Sequence, residues 1–331
     1  MNKINKKRYA YKFLAFVTLA AVLAGGCTVF RGEEEESEVS EIQNNENDMQ
    51  QESGPVHENP YADTDFSVPE GFDEVHDGVD YGVMNDRVSY YSSTIGENKM
   101  CGVLLPAGYD ESKSYPVVYV LHGFGGDHFD WSRDDSYLVP IYGNMLAAGT
   151  AVPMIIVTAD MYTAPEATKE TATREEMREA YDNLVNDLEN DLMPFIESNY
   201  AVKTGRENTG IIGTSQGGTE SLAIGFLLQD KIGYISSLAP CPGVIPTDFN
   251  VGTYWNTPIM EDFNIESDES EPMYLALMAG DKDPWCFEST VFYHEKLEEK
   301  GIKHDYTVIE GSGHDDDVWK SGLYNFFKRV F

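Results

Sequence analysis

Basic residues are scarce. Lys and Arg total 23 against 57 Asp and Glu, for a formal net charge of -34 over 331 residues. A chain this acidic lacks the basic face that phosphate binding needs, which argues against nucleic acid as a partner. Cysteine is rare too: Cys27, Cys101, Cys241 and Cys286 are the whole set, and no two form a Cys-x-x-Cys pair. A zinc site built on paired thiolates is therefore not expected. Long apolar runs are missing. The N-terminal one, Phe13 to Leu23, is too short to span a bilayer comfortably. No internal repeat and no carbohydrate-binding module is recognisable in the chain.

What charge there is lies unevenly. Between Gly32 and Asp80 there are 17 acidic residues and no Lys or Arg. That stretch reads as a solvated tether without a core of its own. Ahead of it, Lys3, Lys6, Lys7, Arg8 and Lys12 precede the apolar run, the layout of an export signal. Leu23-Ala24-Gly25-Gly26-Cys27 then resembles a bacterial lipoprotein signal, although Ala24 stands where leucine is commonest. Cys27 is the residue expected to carry lipid, with simple cleavage or an uncleaved anchor as alternatives. The expected division is a signal over 1–26, an acidic tether over 27–80 and a folded domain over 81–331, exported and anchored at the cell surface or else secreted.

From Asp86 the composition turns globular. Arg87–Thr94 and Lys99–Leu105 read as a hairpin around Gly96-Glu97-Asn98. Pro116–Leu121 and Pro153–Thr158 are continuous apolar runs, the mark of strands covered on both faces. Tyr137–Ala148 reads as a helix, Met161–Thr173 as a polar loop, and Arg174–Tyr200 as one long amphipathic helix kinked by Pro194. Ile232–Leu238, Met273–Met278 and His304–Ile309 supply further strands. Thr290–Lys300 and Val318–Val330 are helices. Cys241–Glu271 has no periodicity and reads as an insertion able to cover a site. Alternation of strand and helix predicts an α/β fold: a mostly parallel sheet with helices on both faces and an N-terminal antiparallel hairpin. Ligands of such sheets bind at the carboxyl ends of the strands. Cys241 and Cys286 both follow strands near that edge, so they could meet.

Ile211-Ile212-Gly213-Thr214-Ser215-Gln216-Gly217-Gly218 sits between an apolar strand and a helix. In that setting Gly-x-Ser-x-Gly is a nucleophile elbow. Gly213 and Gly217 remove side chains that would collide across a tight turn, and the helix start favours developing negative charge. A glycine-rich turn with an incidental serine is the plain alternative. A serine hydroxyl needs a base, and the base an orienting carboxylate. After Ser215 the histidines are His294, inside a helix, His304, opening a strand, and His314, in the glycine-flanked loop after the last strand. His314 is the expected base. Asp281 and Asp283 both lie in the turn after the preceding strand. Asp283, restricted by Pro284, is favoured, and Asp281 is read as solvated. The run Asp315-Asp316-Asp317 reads as a solvated helix start, not a metal site. For an oxyanion hole, the backbone N–H groups of Gln216 and Phe124 are the expected donors, with His122 structural in the loop His122–Gly126. Trp131, Trp255 and Trp285 could line a pocket for flat acyl or sugar groups. Core packing is the equal alternative for Trp131, and Trp319 is read as core.

Four separated motifs occur in one order: His122-Gly-Phe-Gly-Gly with Asp130-Trp131, Gly213-Thr-Ser-Gln-Gly-Gly, Gly280-Asp-Lys-Asp283, and Gly311-Ser-Gly-His-Asp-Asp-Asp-Val-Trp319. Together, from about Tyr90 to Phe331, they resemble the esterase D-like carbohydrate esterases, a group that includes feruloyl and acetyl-xylan esterases. The resemblance implies an α/β-hydrolase fold with no metal or organic cofactor, Ser215 as nucleophile, His314 as base and Asp283 as acid. Gln216 departs from a common methionine but keeps its N–H. The implied partner is an acylated polysaccharide or oligosaccharide. The rival readings are an esterase or acyltransferase of the same fold acting on a siderophore lactone, a thioester or an envelope lipid, and a binding lipoprotein without activity. An intact Ser, Asp and His set speaks against the last.

Overall fold

The structure is a computed structural model, which describes residues 59–133, 136–247 and 257–331. Eight strands form one sheet: β1 Val83–Ser92, β2 Glu97–Leu105, β3 Val117–Leu121, β4 Ile155–Ala159, β5 Thr209–Thr214, β6 Tyr234–Leu238, β7 Tyr274–Gly280 and β8 Asp305–Ile309. Their order across the sheet is β1-β2-β4-β3-β5-β6-β7-β8. The β1–β2 and β2–β4 pairings are antiparallel. All others are parallel. Strands β3 to β6 are buried along their whole length, as continuous apolar runs require, whereas the edge strand β8 is half-buried.

Successive residues of a strand face opposite sides, so each strand feeds two cores. Val117, Tyr119 and Leu121 join Ile155, Val157, Ile211 and Leu275 on one face. That face is covered by α2 Arg174–Asp182, α3 Leu184–Asp187, α4 Met193–Asn199, α5 Gln216–Leu227 and α6 Phe287–Lys300. Val118 and Val120 join Ile156, Ile212 and Met278 on the other, under α1 Leu138–Ala148 and α7 Asp316–Arg329. Among the described residues no helix is long and apolar enough to cross a membrane.

Three sequence expectations change. The helix expected over Arg174–Tyr200 is not continuous. It breaks after Asp182, and Leu188–Leu192 forms a wider π turn ahead of Pro194. Proline has no N–H to close the regular ladder. The wider turn carries the Met193 N–H back to the Leu188 carbonyl instead. Second, the folded part begins before residue 81. The Tyr61 hydroxyl donates to the Lys303 carbonyl and accepts the Leu275 N–H, and Arg329 donates to the carbonyls of Asp63 and Asp65 while lying over the Phe66 ring. Asp63 and Asp73 pair with Lys328 and Lys320. In a run dominated by acids, the anchors Tyr61, Phe66 and Phe72 are easily overlooked, yet they pack on α7 and the second core. Third, the described ends of Cys241–Glu271 are core and not cover. Val244, Ile245 and Phe263 are buried, and Phe263 meets the rings of Phe226 and Tyr293. Trp255 and the N-terminal calls, including Cys27, lie outside the described residues.

Candidate active site

Strand β5 ends at Thr214, and α5 begins at Gln216. Ser215 between them has φ 58° and ψ −118°, a strained conformation for a residue with a side chain. Its N–H is held by the Leu238 carbonyl at 2.8 Å. The flanking glycines are required by close approach. A Cβ on Gly213 would lie 2.1 Å from the Gly217 carbonyl oxygen, and one on Gly217 would lie 2.4 Å from that of His122. The turn therefore holds the serine hydroxyl out at the carboxyl edge of the sheet.

Asp283 and His314 come together at the same edge. His314 Nδ1 and Asp283 Oδ2 are 2.6 Å apart. The other oxygen of Asp283 accepts the N–H groups of Trp285 and Cys286, at 2.8 and 3.0 Å. Burial alone would raise this carboxyl. The His314 hydrogen bond and the two N–H groups outweigh it, so the group sits below its ordinary value. Asp281 takes a different part from the solvated one read for it. It accepts the Gly311 N–H at 2.6 Å and so ties the loop carrying His314 to the loop carrying Asp283. Trp285 and Trp319 set their edges or faces against His314, with ring centroids 5.3 and 4.9 Å away. Trp319, read as core, is half-buried and belongs to this wall. His314 lies two residues ahead of α7 and Trp319 near the start of that helix, a closeness in sequence that could have found it.

Ser215 Oγ does not hydrogen-bond His314 here. Its neighbour is Cys241 Sγ, at 3.5 Å, and Cys241 Sγ lies 2.8 Å from Cys286 Sγ. The hydroxyl and the two thiols form one line of contacts and the carboxylate and imidazole another, joined where the Cys286 N–H donates to Asp283. Catalytic hydrogen bonds are often open without substrate and tighten with it bound.

The loop after β3 passes the elbow closely: a Cβ on Gly123 would sit 3.7 Å from Ser215 Cβ. The Tyr181 hydroxyl accepts the Gly125 N–H at 3.0 Å, and the Phe124 ring meets Tyr181 edge-on. Burial pushes the Tyr181 phenol up to about 12, so it stays neutral. His122 is structural, as expected. Its Nδ1 faces the Gly123 carbonyl at 2.7 Å and its Nε2 accepts the Met161 N–H at 3.0 Å, which fixes the orientation of the ring. His294 and His304 bond each other at 2.8 Å, away from this loop.

Of the three tryptophans expected in the pocket, the two that lie among the described residues separate. Trp285 is 66% exposed beside His314. Trp131 is 4% exposed and packs against Tyr137 in the core with α1, so its role as a pocket wall is withdrawn. Asp283, Cys286 and His314 bring possible metal-ligand atoms within 4.8 Å of one another. The carboxylate and imidazole are already spent on each other, however, and the thiol faces Cys241. Beneath the elbow lies a cluster the sequence reading missed. Gln216 donates to Glu220 at 2.8 Å, and buried Arg178 reaches Asp182 and the Gly243 carbonyl.

A serine on a strained strand-to-helix turn, with a histidine bonded to a buried carboxylate at the same sheet edge, defines a serine hydrolase of the α/β-hydrolase fold. An esterase family model matches residues 92–329, and the chain belongs to that esterase family. A ferulic acid esterase from the anaerobic fungus Anaeromyces mucronatus, solved with ferulic acid, is similar: 32% identity, 81% of this chain and 97% of that one, TM-score 0.72. An endo-1,4-beta-xylanase/feruloyl esterase of Xylanibacter ruminicola is 26% identical over 251 residues, 74% of this chain. The chain spans about a third of that relative's length, 31%. The enterobactin esterase of Shigella flexneri, 16% identical at TM-score 0.55 over 74% of this chain and 58% of that one, shares the fold alone.

Proposed function

We propose that the protein hydrolyses feruloyl, or alternatively acetyl, esters on xylan or a related plant polysaccharide through an acyl-enzyme. The observation that carries this reading is the 2.6 Å bond between His314 and a buried Asp283, at the sheet edge where Ser215 stands on its elbow. Ser215 attacks the ester carbonyl as His314 Nε2 takes its proton. Asp283 holds the imidazole with Nδ1–H inward and stabilises the imidazolium. The backbone N–H groups of Gln216 and Phe124 receive the oxyanion. His314 then protonates the departing sugar hydroxyl, and water repeats the cycle on the acyl-enzyme. The exposed indole of Trp285 offers the flat apolar face that a feruloyl ring stacks on. The similarity to a ferulic acid esterase over four-fifths of the chain supports the acyl preference. The reading also takes the protein as exported and held by lipid on Cys27. Loss of fatty-acid labelling in Cys27→Ser, with no loss in wild type, is the result expected.

Wild type releases ferulate from feruloylated xylan fragments, and Ser215→Ala lowers the rate at least about 10³-fold. Release of acetate alone selects the acetyl reading. If neither acid is released while a siderophore or lipid ester is cleaved, the polysaccharide reading is wrong.

A further inference from the structure

Three cysteines lie among the described residues, and all are unbridged in this structure. Two of them meet beside the nucleophile. Cys241 and Cys286, 45 residues apart in the chain, have their sulfurs 2.8 Å apart. Both are buried, and both backbones are pinned. The Cys241 carbonyl accepts from Thr219 of α5 and Tyr293 of α6, each at 3.0 Å. The Cys286 carbonyl accepts from Thr290 at 2.7 Å and Ser289 at 3.0 Å, and its N–H is held by Asp283. With both main chains held in place, little more than side-chain rotation separates the thiols from a bond.

We propose that Cys241 and Cys286 form a disulfide in the mature protein, and that this bond sets the nucleophile. In the dithiol form Cys241 Sγ is the partner of Ser215 Oγ, and the bond to His314 is open. A disulfide sulfur has no hydrogen to donate, so the competing partner is weakened. The same bond ties the loop beside Ser215 to the residue whose N–H holds Asp283, so both halves of the relay keep one geometry.

The chemistry balances with a disulfide carrier, such as oxidised glutathione or an oxidoreductase cystine. The Cys241 thiol loses its proton to solvent and attacks one carrier sulfur, whose partner leaves as a thiolate. Cys286, deprotonated in turn, displaces the second carrier sulfur from Cys241. One S–S bond forms in the protein, one breaks in the carrier, and the two electrons leave with two carrier thiols. Burial, and the neighbouring Cys241, push the Cys286 thiol well above its ordinary value. Attack is therefore favoured during folding, before the pair is enclosed.

The test uses the full chain folded in a glutathione redox buffer, then denatured with N-ethylmaleimide and no reductant, and digested. The expected product is a cross-linked peptide joining residues 241 and 286, about 2 Da lighter than the dithiol pair, with Cys101 labelled. Label on both Cys241 and Cys286 overturns the bond. This covalent readout is independent of ester hydrolysis, so its failure and that of the proposed activity are separable. A phosphine reductant is expected to lower kcat on p-nitrophenyl acetate by about 5-fold, the worth of one hydrogen bond, and Tm by about 5–10 °C. It is expected to have no such effect on Cys286→Ala. A cross-link whose reduction leaves kcat unchanged overturns its coupling to Ser215, and wild type supplies that answer even if the variant does not fold.

Discussion

Asp283 orients His314 with one oxygen and holds the turn ahead of α6 with the other, so a single carboxylate joins chemistry to fold. Asp283→Asn keeps the shape but loses the charge and presents an amide to the ring. We expect kcat to fall about 10³–10⁴-fold with KM little changed, measured on a ferulate ester. The carboxyl sits below its ordinary value in the folded protein. Its contribution to stability is therefore full above the unfolded aspartate range and lost as pH falls toward the folded value. The Tm of wild type should drop across that acid window, and the drop should be shallower in Asp283→Asn. Trp285 makes the complementary prediction. Trp285→Ala should raise KM about 3–10-fold for a feruloyl ester and leave an acetyl ester nearly unaffected. Equal effects on both would place the indole in support of His314 and not in the acyl site. Proline after Asp283 separates it only weakly from Asp281 in the sequence. The choice becomes plain only where Asp281 is seen to hold the Gly311 N–H.

Strands were easier to read than helices. β3, β4 and β5 are buried on both faces, and burial writes itself into the sequence as unbroken apolar runs. The Arg174–Tyr200 helix kept its apolar stripe, which is why it read as one element, but a stripe does not report a π turn. Elbow helix α5 hides its polar residues: Gln216 and Glu220 are wholly buried against Arg178 and Asp182. Burial, then the Asp182 charge, push Glu220 well above its ordinary value despite Arg178. A folded pKa above the unfolded one gives stability that is full below the unfolded glutamate range and is lost as pH rises through the folded value. Wild-type Tm should therefore fall with rising pH across that window, and Glu220→Gln, which keeps the shape without the charge, should flatten the fall. Glu220→Ala, which leaves Arg178 with one partner fewer, should instead cost about 3–5 kcal/mol by urea titration.

Across the full domain, the segment from Asn59 to Asp80 is where composition misled. Its charge resembles that of the tether, but Tyr61, Phe66 and Phe72 seat it on α7, and Asp63 and Asp65 supply the carbonyls that Arg329 needs. Arg329 is 1% exposed, so removing those carbonyls would leave its buried guanidinium with Asn325 and without the acceptors of Nη2. Truncation through residue 80 should lower Tm by about 10 °C or more relative to truncation through residue 58. Equal Tm values would show that the segment adds nothing to the fold.

The α/β order, the elbow at Ser215 and the chemistry-bearing residues Asp283 and His314 could all be named from the chain alone. Each depends on local rules: apolar runs, glycines where backbones touch, and loops directly after strands. That Cys241 and Cys286 could meet was also within reach, but the contact of Cys241 with the serine hydroxyl, the burial of Trp131, the second indole on His314 and the acid-rich segment packed on α7 were not. Those depend on which distant loops share one sheet edge, and that follows from which strands lie side by side: β6 pairs with β7, so the loops that carry Cys241 and Cys286 meet.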